Sequence, residues 1–344
     1  MKFLKIITLV FLLISFNNYA QITNSNEYNV LELYNAKASF FVLKGGEIAI
    51  DYNVKNWNTD WWLKIDKDSI TKKEIITARK NNALFVKAGL TNTKKFQNLN
   101  KFDFKKNNGL TFGVSFKHSF KEVYILSENK RPFNLGTFTI NAQYSYDKFE
   151  NFDPTSNTIN KETPDVFALS GGVNRYFFNW NCKYPHTLVL ALNAMASPKT
   201  YNKNSLTNFS ELSSGTIVNG SVFTTSNSSF DGKFGIVEND VQTARISFSS
   251  GFVPENKLCE KLPYIVPVPH LSYDFFSYSK PKLTYGISIG FLTKALFDEA
   301  KKNDEGNSTR VFNSPSFLSI GVDGSNQDGK SSKPNYFISG AITF

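Results

Sequence analysis

The sequence predicts an all-β protein, a single antiparallel transmembrane β-barrel of about twelve strands, with an even number between roughly 10 and 14 as the range. Three observations predict it. First, long stretches alternate with a period of two. GLTFGVSFKH sets Leu110, Phe112, Val114 and Phe116 against Thr111, Gly113, Ser115 and Lys117, and LGTFTINAQYSY and KLTYGISIGFL repeat the pattern. Second, the polar face is built of Gly, Ser, Thr and Ala with few charges, while the other carries Phe and Tyr towards the strand ends. A soluble sandwich needs a polar outer face, whereas a membrane barrel puts its apolar face to lipid and its polar face inside. Third, aromatic residues reach 15%, with 33 Phe and 15 Tyr, at a mean hydropathy of −0.29. That composition suits half-buried pleated surfaces rather than helical layers.

The chain opens with Lys2 and Lys5, then the apolar run ITLVFLLISF, then Asn17, Asn18 and Tyr19-Ala20-Gln21. This is the order of a secretory signal peptide over 1–20, and the run is too short for a membrane anchor. Residues 21–45 form an N-terminal segment, and 46–344 the barrel, closed by a terminal strand over 335–344. Between them the strands are read in GEIAIDYNVK, NALFVKAGLT, GLTFGVSFKH, LGTFTINAQYSY, DVFALSGGVNRYFFN, TLVLALNAMA, GTIVNGSVFTT, TARISFSSGF, YIVPVPHLSYDF, KLTYGISIGFL and SFLSIGVDG. Only 62–80 and 291–303 have a helical flavour, and no later apolar run reaches the length of about 20 residues that a spanning helix needs. A lipid-exposed sheet has to close, because an open edge has no hydrogen-bond partner in hydrocarbon. One expectation conflicts with the rest. With both ends of the chain on one side, the short connection 277–282 falls outside and the long 292–313 falls inside, the reverse of short inner turns and long outer loops.

The signal peptide, the ten-residue amphipathic strands and the terminal YFISGAITF together resemble a bacterial outer-membrane β-barrel protein. The Lys-, Asn- and Phe-rich, Arg-poor composition resembles such proteins of the Bacteroidota. The resemblance implies a place in the bacterial outer membrane, with outer-membrane lipid and the barrel-insertion machinery as partners. It also implies that Tyr336, Ile338, Gly340, Ile342 and Phe344 form the signal read for insertion. It names a fold and a place, and no solute.

If the small-residue face lines a lumen, parity makes Glu47, Asp51, Lys55, Lys87, Lys117, Arg245 and Asp323 the lumen-lining candidates. Such charges set a field across a channel or pair and plug a narrow bore. His270 and Ser272 share a strand face, as a base and nucleophile would, and a His-x-Ser pair on a barrel strand is similar to part of the outer-membrane phospholipase motif. The following Tyr273-Asp274 departs from that family's Asn-Gly. The cluster Trp57 and NTDWW reads as an interfacial or loop-packing group, or as a stacking surface for a sugar or acyl chain.

Cys182 and Cys259 can pair only if their loops lie at one end, which this strand count does not provide. Two cysteines and three histidines give no metal-ligand spacing, and no cofactor motif is present. The net charge of +10 comes mainly from Lys scattered through polar connections, and export disfavours nucleic acid as a partner. The expected role is a narrow channel or transport protein for small solutes. A non-catalytic structural or accessory barrel of an export or adhesion complex is the alternative, and a lipid hydrolase the third.

Overall fold

The computed structural model describes residues 21–23, 29–32, 40–44, 47–57, 62–67, 74–78, 81–92, 108–120, 122–126, 133–156, 158–179, 183–202, 206–219, 222–257, 262–296, 301–302, 308–311 and 316–343. The signal peptide over 1–20, Cys182, Cys259 and Phe344 lie outside the described residues. No helix occurs among the described residues. The segments at 62–80 and 291–303 contribute short strands instead, in keeping with β-branched Ile65, Ile75, Ile76 and Thr77.

β1 (Gln21–Thr23) and β2 (Asn29–Glu32) form an antiparallel hairpin. A ring follows, made in neighbour order by β3 (Phe40–Lys44), β4 (Glu47–Asn56), β7 (Asn81–Asn92), β8 (Asn108–Ser119), β10 (Phe133–Tyr146), β13 (Asp165–Asn179), β14 (His186–Thr200), β17 (Val241–Pro254), β18 (Tyr264–Phe276), β19 (Lys282–Leu292), β22 (Phe317–Gln327) and β24 (Asn335–Thr343). Each of the twelve pairs antiparallel with the next. β24 then pairs with β3 through Gly340↔Leu43 to Thr343↔Phe40, so the sheet returns on itself. The closed ring satisfies every wall strand on both edges. A two-residue strand, β23 (Lys330–Ser331), folds back on β22.

The count of twelve agrees with the sequence, but its membership does not. GTIVNGSVFTT is no wall strand. It turns between β15 (Thr207–Asn219) and β16 (Val222–Phe234). The missing wall strand is β3, which lies before the expected barrel start at residue 46.

Alternate connections leave opposite ends. β3 starts, and β24 finishes, at what is here termed the terminal end; the other end is distal. At the terminal end, β5 (Trp62–Lys67), β6 (Glu74–Ala78), β9 (Glu122–Leu126), β20 (Lys301–Lys302) and β21 (Ser308–Val311) join as one five-stranded sheet in the order β20-β21-β5-β6-β9. At the distal end, β11 (Phe149–Asp153) and β12 (Thr158–Glu162) join β15 and β16 in a four-stranded sheet. The long connection that conflicted with the loop rule is thus part of a structured terminal sheet. The connections 180–185 and 255–263, which carry the two cysteines, also leave the terminal end side by side, and Glu255 N donates to the Pro185 carbonyl at 3.0 Å.

The pleat sorts the side chains. Phe112, Val114, Ile140, Leu192, Ile246, Ile287 and Ile338 point outward and are exposed, while their alternates Thr111, Thr139, Ala191, Ser247, Ser288 and Phe337 point inward and are buried. In the terminal half the interior holds large apolar side chains, with Phe85, Leu135, Tyr176, Phe178, Val266 and Leu292 all buried, beside buried Lys117, Ser119, Thr137 and Thr187. The hairpin of β1 and β2 adds to this filling. β2 lies against β14, β17 and β18, and β1 against β22 and β24. The two groups of wall strands flank β19, so the hairpin spans this one side of the ring.

Candidate functional site in the barrel interior

β18 presents Val266, Val268, His270, Ser272 and Asp274 to the interior in strict alternation with exposed Pro267, Pro269, Leu271, Tyr273 and Phe275. The prolines stand on the outward-facing parity, and the strand keeps its register with β19 across both. His270 faces Ser249 on one neighbour and Gly286 on the other, and Gly286 in turn faces Asp323. The side chains of His270 and Asp323 meet over Gly286, His270 Nε2 to Asp323 Oδ1, both almost fully buried. A Cβ at residue 286 would overlap Asp323 Oδ1, the Val322 carbonyl and His270 Nε2. Glycine is therefore the residue that lets this contact bridge two strands with a third between them. A second glycine repeats the device: Gly321 makes room for the Phe337 ring, which meets His270 edge-on at 6.1 Å.

Four residues further along β18 towards the distal end, Arg245 and Asp274 are direct cross-strand neighbours and form a buried ion pair through Arg245 Nε. Around the His270–Asp323 pair, the hydroxyls of Ser249, Ser272, Ser288 and Ser319 are buried and have no hydrogen-bond partner among the described residues. Each can donate and accept, and leaving such a group unpaired costs about 1–3 kcal/mol. On the facing wall, Lys117 is buried with its ammonium 4.7 Å from the Phe85 ring centre. Lys87 Nζ donates to Gln143 Oε1 at 3.4 Å, and Asp51 is its cross-strand neighbour. Asn141 Nδ2 donates to Ser170 Oγ at 3.1 Å, and Asn141 Oδ1 accepts from Ser115 Oγ.

The sequence candidates thus separate. Asp51, Lys87, Lys117, Arg245 and Asp323 stand inside the ring. The side chain of Glu47 lies outside the described residues. Lys55 does not follow its expected parity: the register of β4 shifts between Asn53 and Lys55, which brings Lys55 opposite Leu84. Its ammonium lies exposed, 5.3 Å from the ring of Trp57, which itself packs edge-on against Phe116 of the outer face. A β-bulge carries no sequence mark here, so strict alternation assigned the wrong side. Asp274, absent from the sequence candidates, shares the parity of His270, and that alternation alone places it on the inner face.

For hydrolytic chemistry the geometry is unfavourable. His270 Nε2 faces the Asp323 carboxylate and Nδ1 lies 3.4 Å from the Val268 carbonyl oxygen. Both ring nitrogens are directed at other acceptors, and Ser272 Oγ has no hydrogen-bond partner among the described residues, so the histidine and the serine are not paired as base and nucleophile. Both residues are also shut inside the barrel, away from any lipid on its outer face. On the terminal strand, Tyr336 and Ile338 are exposed on the outer face, and Gly340 follows on the same parity. The side chain of Ile342 lies outside the described residues.

No protein-family model and no curated protein sequence matches the chain. Among solved structures, it is similar to the crystal structure of the β domain of the Bordetella autotransporter BrkA, with a TM-score of 0.36 and 6% sequence identity over 90% of this chain and 99% of that one.

Proposed function

We propose that the chain is a bacterial outer-membrane β-barrel whose bore is occupied by its own N-terminal hairpin, and that it serves as a non-catalytic structural or accessory barrel. The observation that carries the membrane reading is the outer face. Large apolar side chains from β4 round to β24 are left exposed, over a wall whose inner face is Ser, Thr, Gly and paired charge. In water that arrangement would be an apolar belt without a partner; in lipid it is the arrangement that lowers the free energy. The composition supports a Bacteroidota source, and the terminal strand supports insertion by the barrel-insertion machinery. In this reading the terminal end faces the periplasm.

The occupied bore favours the accessory role over an open pore. The Arg245–Asp274 ion pair and the His270–Asp323 contact engage these wall side chains with one another, and the hairpin lies against β14, β17, β18, β22 and β24. A second reading, a narrow channel for small polar solutes, is favoured by one observation: the unpartnered hydroxyls form a wall that can exchange hydrogen bonds with a passing solute. In that reading the hairpin is a gate. Fractionation with the outer membrane and heat-modifiable gel mobility test the membrane reading, and release into the medium overturns it. Planar-bilayer conductance separates the two roles. The full chain is expected to be silent, and deletion of 21–32 is expected to open steps of conductance if the channel reading holds. Conductance by the full chain overturns the plugged barrel, and silence from a folded deletion variant overturns the channel.

A further inference from the structure

Inward-facing side chains are not equally covered around the ring. The hairpin of β1 and β2 lies against β14, β17, β18, β22 and β24, and on that side Ser249, His270, Ser288 and Asp323 are buried. On the other side Asp51, Lys87, Ser115, Asn141, Gln143 and Ser170, from β4 round to β13, also point inward but are only half-buried. They form a band at mid-height. Towards the terminal end it stops at buried Phe85, Lys117, Thr139 and Asn174, and towards the distal end at buried Ala49, Thr111 and Ser145. On β13 the half-buried line runs on through Ala168 to Val166, beside the distal cluster of Phe149, Tyr201 and Leu206. A side chain inside a closed wall keeps such exposure only where it borders a space, and a polar space in a protein holds water or a polar ligand.

The band is organised by register. Ser115, Asn141 and Ser170 are neighbours across three strands, joined by hydrogen bonds from Ser115 Oγ to Asn141 Oδ1 and from Asn141 Nδ2 to Ser170 Oγ. Two residues further along β10, Lys87 reaches across Gly113 to Gln143, Nζ to Oε1 at 3.4 Å. An ammonium only donates, so it fixes which end of the amide it meets and leaves Nε2 as the donor of Gln143. Asp51 is the cross-strand neighbour of Lys87, so the carboxylate and the ammonium of the band stand side by side and give it no single sign. From this geometry we infer that the band is a binding chamber for a small uncharged polyol or sugar. Amides and hydroxyls each offer a donor beside an acceptor, as the vicinal hydroxyls of such a solute do, whereas selection of an ion needs a wall of one sign. The inference rests on the closed barrel of the membrane reading and goes beyond it, since the hairpin stays in place while the solute binds.

The test uses purified full chain refolded into phosphatidylcholine vesicles, with folding checked by the heat-modifiable band and binding read by saturation-transfer NMR. Glycerol, myo-inositol and glucose are the probes, each titrated to about 0.1 M, and at least one is expected to bind. Acetate and methylammonium, which probe each sign of charge alone, are expected to bind about tenfold more weakly or not at all. Asn141→Leu and Gln143→Met keep the side-chain volume and remove the amides, and each is expected to weaken polyol binding about fivefold or more. Tyr144→Phe, on the outward face of the same strand, is expected to leave it unchanged. A folded parent that binds none of the three polyols, tighter binding of either ion, or unchanged affinity in both amide variants overturns the inference and leaves the barrel standing. Absence of a heat-modifiable band in the parent overturns the membrane reading, and the inference with it.

Discussion

Gly286 carries the contact between His270 and Asp323 by having no side chain, and this makes it a sharper probe than either charged residue. A methyl group at 286 would overlap both partners and the backbone of β22. Gly286→Ala is therefore expected to destabilise the barrel by about 1–3 kcal/mol, the usual cost of overpacking. Removing one member of a buried pair, as in Asp323→Asn, is expected to cost about 3–5 kcal/mol. Urea midpoints of the lipid-folded protein measure both, and an unchanged midpoint in Gly286→Ala would refute the bridging geometry. A second residue, in the distal turn, makes a pH prediction. Asp153 Oδ1 accepts from Thr155 N at 2.8 Å and Oδ2 from Ser156 Oγ at 3.0 Å, and these bonds hold its pKa below the ordinary 3.8. A lowered pKa means that the turn is fully supported above that ordinary value and loses support as pH falls through the lower, folded value. The Thr155 amide resonance is expected to titrate with a midpoint below 3.8; a midpoint at or above it removes the turn from the account. At this scale the sequence was readable wherever alternation held, as at Arg245 and Asp323. It failed at Lys55, because a bulge is a property of two paired strands and leaves no mark in one of them.

Among elements, the terminal sheet is assembled from three separate connections, so its strands are contiguous in space and far apart in sequence. That is why its members looked helical or loop-like when taken singly: five- and six-residue segments have little periodicity of their own. The long alternating wall strands, by contrast, declared themselves. The sheet also answers the one conflict in the sequence reading, since β20 and β21, within the long connection 293–316, pair with each other there and β21 pairs with β5. β6 lies between β5 and β9, with Thr77 opposite Lys64 and Val123. Thr77→Pro would remove a ladder hydrogen bond at the centre of this sheet and leave the ring untouched. The variant is expected to keep its heat-modifiable band while 57–80 becomes more easily cut by protease. Loss of the band would mean that the sheet is needed for the wall itself.

For the whole molecule, two errors in strand membership cancelled. GTIVNGSVFTT entered the count and β3 was left out, so the total of twelve survived while the ends assigned to the earlier connections reversed. Closure, polarity and size follow from the alternation and are legible in it. What fills the bore is not, because the contact of β1 and β2 with the strands on either side of β19 depends on where the ring brings those strands. The joins around the ring are unequal. Among the described residues, β10 and β13 share fourteen facing pairs from Phe133↔Phe178 to Tyr146↔Asp165, whereas β24 and β3 share four. Since resistance to separation grows with the number of paired residues, stress on this cylinder concentrates at one line. If the wall parts under load, it unzips there, beside the first and last strands to be threaded into it.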